Sequence, residues 1–129
     1  KYPELVDRLI VWGANLYPSG VKNIAMIPIR ILRKIVDLIS KIDIRAKLHS
    51  EKLALVTNEP YISETELEKI HARTLVLGGT HDIIKTEHTR LISRCIPKAK
   101  LCLIPGGHFI SSRKPKIFNK AVLNFLEEK

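Results

Sequence analysis

The chain has 129 residues, enough for one ordinary domain with a hydrophobic core, and its 45% apolar content excludes a disordered polymer. Its 22 Lys and Arg against 13 Asp and Glu give a formal charge of +9, but the basic residues are spread along the whole chain and aromatics are few, which argues against nucleic acid as a partner. Cys95 and Cys102 lie in apolar stretches without metal-ligand spacing, so buried free thiols and a reducing, cytoplasmic setting are expected, and no apolar run reaches the roughly 18 residues of a membrane span.

The chain opens at Lys1 and its one methionine is Met26, so a fragment is expected. "ELVDRLIVWGANL" starts as helix, with Leu5, Val6 and Leu9 in its last turns. It becomes a continuous apolar strand over residues 8–14. "YPSG" is a turn. "PIRILRKIVDLISKIDI" then has Pro28 at a favoured first helical position. Ile31, Ile35, Leu38 and Ile42 recur at helical spacing, opposite Arg30, Arg33, Lys34, Asp37 and Lys41. This is an amphipathic helix over about residues 28–42. A further helix is expected from about Ala46 to Val56, ended by "NEP", where Glu59 could face the site but reads first as a turn residue. Ser63 followed by Glu66 is a capping pattern and starts a short helix.

The last third is regular. "RTLVLGG" is a buried strand. "TEHTRLISRCI" is a helix with Thr86 as its N-cap, ended by Pro97. "AKLCLIPGG" is the next strand. "KPKIFNKAVLNFLEE" is the final helix, with Phe118, Ala121, Val122, Phe125 and Leu126 as its apolar stripe. Strand, helix, strand, helix with short connections predicts the α/β class, with a parallel sheet and flanking helices.

In open parallel sheets, sites form outside the carboxyl ends of the strands. Asp82, after "LVLGGTH", and His108, after "LCLIPGG", both fall there. A carboxylate that accepts from one imidazole nitrogen fixes the tautomer. It also stabilises the imidazolium formed when the other nitrogen takes a proton. Gly106 and Gly107 would let the loop turn tightly. His81 and His88 flank Asp82 without a third ligand, so no metal is expected; His88 is placed near the rim of the site. His49 and His71 read as surface residues.

These residues resemble the C-terminal half of an α/β-hydrolase-fold serine hydrolase. The acid of that family lies in a "G-x-x-D" after the penultimate core strand, matched by Gly79, Thr80, His81 and Asp82. Its histidine lies in a "G-G-H" after the last strand, matched by Gly106, Gly107 and His108. "YPELVDRLIVWGANLYPSG" is similar to the stretch after the nucleophile helix. The resemblance implies a division into residues 1–18 (core helix end and strand), 19–70 (helical cap) and 71–129 (C-terminal core), with the N-terminal half of the fold absent.

The family's nucleophile motif, "G-x-S-x-G", is missing. None of the seven serines has its setting, including Ser19, Ser111 and Ser112. No nucleophile is therefore assigned in this chain, and one is expected about one helix upstream of Lys1. The helix over 28–42 could lie on a membrane surface, pair with another helix, or cover the site as a cap; its place between two core strands favours the cap, with Ile31, Ile35 and Leu38 toward the substrate.

The resemblance implies an esterase-like enzyme using a Ser–His–Asp mechanism on a small, partly apolar substrate. Asp82 and His108 would be catalytic and no cofactor would be needed. The alternatives are a non-catalytic binding member of the fold, or a fold-mate such as a C–C hydrolase, dehalogenase or lyase. Half a sheet would leave an exposed strand edge, so the missing half or another copy is expected there.

Overall fold

The computed structural model describes residues 5–42 and 44–128. One sheet holds β1 (Arg8–Trp12), β2 (Arg73–Gly79) and β3 (Ala99–Ile104) in that order, all parallel. Between β1 and β2 run α1 (Asn23–Ile39), α2 (Ile44–Asn58) and the single turn α3 (Glu64–Leu67). The helix α4 (Thr86–Cys95) joins β2 to β3, and α5 (Ile110–Arg113) and α6 (Pro115–Glu127) follow. The α/β class is as the sequence predicts, and the last third runs strand, helix, strand as expected but ends in two helices, the single turn α5 and then α6, rather than one.

Every residue of β2 from Thr74 to Gly79 is buried. Helices cover both faces of a parallel sheet, so its central strand reads as a continuous apolar run. Side chains alternate between the faces. Val76 packs with Leu16, Leu67, Ile92 and Ile96, beside α3 and α4. Leu75 and Leu77 pack with Ile104, Ile110 and Phe125, beside α5 and α6. Each such side chain contributes about 1.5–3 kcal/mol on burial, so β2 ties both helical layers to the sheet. The strand β1 differs. It pairs with β2 alone among the described residues, and Ile10 and Trp12 stay 36% and 38% exposed.

Several boundaries depart from the sequence reading. The helix expected ahead of β1 begins at Glu4, outside the described residues, and Leu9 belongs to β1. Pro28 lies inside α1, not at its first position. The early start has a long-range cause. Val21 pairs with Ile84 in an antiparallel bridge, and the Lys22 N–H donates to the Ile83 carbonyl at 2.8 Å. Lys22 is thereby held extended as the N-cap, and the Met26 N–H returns to its carbonyl.

The same bridge displaces the expected cap of α4. The Lys85 N–H donates to the Gly20 carbonyl at 2.8 Å, Lys85 becomes the N-cap, and Thr86 is the first helical residue. The helix expected over about 46–56 is longer at both ends. The capping pattern at α3 is present. Ser63 Oγ accepts from the Glu66 N–H at 3.3 Å, and Glu66 Oε2 accepts from the Ser63 N–H at 2.9 Å. The Ser63 N–H bond to the Glu66 carboxylate, with a second from Ser63 Oγ to Oε2 at 3.0 Å, lowers the Glu66 pKa.

Candidate active site

The loops after β2 and β3 cross at contact distance, which explains the glycines. A Cβ on Gly79 would stand 2.4 Å from the Gly106 carbonyl oxygen and 2.6 Å from that of Gly107. Gly106 turns with φ at +153°. The His81 N–H donates to the Gly106 carbonyl at 2.8 Å and the Thr80 N–H to the Ile104 carbonyl at 3.0 Å. This crossing brings together the residues that follow it, Asp82 and His108.

Asp82 is 2% exposed, and both its oxygens are engaged. Oδ1 accepts from the Ile84 N–H at 3.1 Å and lies 2.8 Å from His108 Nδ1. Oδ2 accepts from the Gly79 N–H at 3.4 Å. A carboxylate only accepts, so Nδ1 carries the proton and Nε2 is the basic nitrogen. Burying the charge is offset by these bonds.

The first strand supplies the rest of the setting. The Trp12 ring stacks beside His108, with centroids 6.3 Å apart and planes at 28°. Phe109 meets the ring edge-on at 5.5 Å. Gly13, with φ at +60°, lies so near that a Cβ would stand 2.9 Å from His108 Cε1. All three strands therefore contribute at their carboxyl ends. The sequence did not single out Trp12 or Gly13; a glycine closing an apolar strand was the one available signal.

His108 opens onto a cavity of about 420 Å³. Its walls are mostly apolar, with Val21, Met26, Pro60, Ile83 and Ile84; Asn15 and Glu59 are polar members. Glu59, for which the sequence left open a place at the site beside a turn role, is among the lining residues. Ile31, Ile35 and Leu38 do not line this cavity. They are 55%, 52% and 65% exposed along α1, which reaches the cavity at Met26 instead. The reason is the early start of α1: its first turns pack on the Val21–Ile84 bridge and its later turns run along α2.

His88 is not at the rim. It is 5% exposed, its Nε2 accepts from the Leu16 N–H at 2.8 Å, and Tyr17 meets its ring edge-on at 4.7 Å. Burial lowers its pKa, the Lys85 charge adds to this, and Glu64 opposes it. His49, His71 and His81 are exposed, and His81 Nδ1 lies 2.9 Å from Thr80 Oγ1. Among the described residues no group of three or more His, Cys, Asp or Glu is placed to hold a metal. Cys95 and Cys102 are free but half-buried rather than fully buried, and burial raises both thiol pKa values. Ser111 lies in α5, and Ser112 Oγ donates to the Phe109 carbonyl at 3.2 Å. No described helix is long and apolar enough to cross a membrane.

A parallel sheet that delivers an acid and a histidine from successive strand ends is the architecture of the α/β-hydrolase fold, and this chain adopts part of that fold. Similar solved structures include a candidate non-heme bromoperoxidase, BpoC, from Mycobacterium tuberculosis H37Rv. It has a TM-score of 0.70 and 15% identity, over 96% of this chain and 59% of that one. A variant of the meta-cleavage product hydrolase CumD from Pseudomonas fluorescens IP01 has a TM-score of 0.66 and 20% identity, over 97% and 57%. An α/β hydrolase from the metagenome of Mar Chica lagoon sediments, Morocco, has a TM-score of 0.67 and 21% identity, over 98% and 52%. The chain therefore spans 52–59% of the length of these three proteins. No family model matches the sequence.

Proposed function

We propose that the chain is the C-terminal portion of an esterase-like serine hydrolase, with residues 19–70 as its cap and 71–129 as the core segment bearing Asp82 and His108. The observation that supports this most is the His108 Nδ1–Asp82 Oδ1 contact of 2.8 Å, which leaves Nε2 as the base. A serine from a segment outside this chain attacks the ester carbonyl and passes its proton to Nε2. Asp82 stabilises the imidazolium. His108 then protonates the leaving alcohol, and a water activated by Nε2 releases the acid. The apolar cavity suits a small, partly apolar acyl or alkyl group.

The test is turnover of a chromogenic butyrate ester by the full-length protein and its His108→Ala variant. A loss of at least about a thousandfold in kcat is expected. Unchanged turnover with an intact fold would refute the reading. The 129-residue chain alone should be inert toward the same ester.

A further inference from the structure

The cavity beside His108 carries a polar signature that the acid–histidine pair does not use. Its walls are apolar except for Asn15 and Glu59. Asn15 Nδ2 donates to the Tyr17 carbonyl at 3.2 Å, which orients the amide and leaves Oδ1 as an acceptor. Glu59 has no ion pair or hydrogen-bond partner among the described residues. Among the described residues, no Lys or Arg lines this cavity. In a protein of formal charge +9, Glu59 is the acidic residue in this lining, it is exposed, and no basic residue stands with it there among the described residues.

We propose that this cavity selects a small apolar skeleton bearing an ammonium group. The inference rests on the cavity being the substrate pocket of the hydrolase reading above. The apolar chain lies against Val21, Met26, Ile83 and Ile84, and the ammonium donates to Glu59 and Asn15 Oδ1. Ammonium fits better than hydroxyl because a charge-assisted hydrogen bond is stronger than a neutral one. A carboxylate is disfavoured, because it finds two acceptors and like charge. The preferred substrate is then an ester, or a related acyl compound, that carries an amine on its apolar part.

The 129-residue chain supplies its own reporter. Met26 is its one methionine and is 1% exposed in the cavity wall, so a single labelled methyl resonance reads occupancy. The probes are n-butylammonium, n-butanol and n-butyrate, titrated at about pH 8, where unperturbed imidazoles are mostly neutral. Butylammonium should bind roughly three- to fivefold more tightly than butyrate, the size of a solvent-accessible ion pair, with butanol between them. Glu59→Gln should remove that gap while butanol affinity stays unchanged. Equal binding of butyrate and butylammonium, a gap that survives Glu59→Gln, or no movement of the Met26 methyl with any probe would overturn the proposal. Binding needs no nucleophile. Failed ester turnover would sink the hydrolase reading and leave this preference standing, and the reverse also holds.

Discussion

Gly13 forms the floor of the His108 ring. It sits at the end of the first strand with φ at +60°, and a Cβ there would stand 2.9 Å from Cε1. The third strand's loop delivers the imidazole, the second strand's loop orients it through Asp82, and the first strand limits how far it can tilt.

Gly13→Ala should therefore act in two ways. The left-handed backbone strains an alanine by about 1–2 kcal/mol. The new methyl also presses the ring away from Asp82. Urea denaturation should show the stability loss. In the full-length protein, kcat should fall further than lost folding explains. Normal kcat would show that the ring does not depend on this floor.

Gly79→Ala should be more damaging. Its Cβ meets two backbone carbonyls, which cannot rotate aside. Overpacking of this kind costs about 1–3 kcal/mol, and the loop carrying His108 must shift to relieve it. Denaturant midpoints, with the His108 ring resonances, would check both effects. A variant as stable as the parent would mean that the two loops are not packed as described.

The buried His88 predicts a pH dependence of stability. Its pKa is lowered from 6.5, so the unfolded state takes up this proton more readily than the folded state. The stabilisation is present above about pH 6.5 and is lost as pH falls through that value toward the lower folded pKa. Glutamine at 88 can still accept from the Leu16 N–H but cannot titrate. His88→Gln should flatten the Tm-against-pH curve on the acid side. Equal slopes in the two proteins would remove His88 as the cause.

The open side of β1 predicts association. Ile10 and Trp12 are exposed on a strand with one partner among the described residues, an arrangement that invites edge pairing. Sedimentation of the 129-residue chain should show dimers or larger species, and adding the complementary half of the fold should dissolve them. A well-folded monomer at high concentration would count against this.

Much of this was legible in the sequence where the signals are local. "RTLVLGG" announces a buried strand and "LCLIPGG" a second strand, of which only Ile104 is fully buried, and the glycines before Asp82 and His108 announce tight loops at the strand ends. The Ser63–Glu66 cap is also a short-range pattern. Long-range hydrogen bonds were not legible. Nothing near Pro28 shows that Lys22 bonds to Ile83 and starts the helix early. His88 reads as one more loop-proximal histidine until Leu16 is found beside it. The Ile31, Ile35 and Leu38 stripe is a true helical face, but periodicity does not say what covers it. Trp12 and Gly13 join the site only because parallel register sets the end of β1 beside that of β2.

The central claim is that Asp82 and His108 activate a serine that this chain does not contain. The most direct measurement treats the full-length protein with a serine-directed fluorophosphonate and maps the adduct by mass spectrometry. The account predicts one adduct, on a serine within a G-x-S-x-G segment outside these residues, formed far more slowly in His108→Ala. No adduct, or labelling at the same rate in the variant, would contradict it.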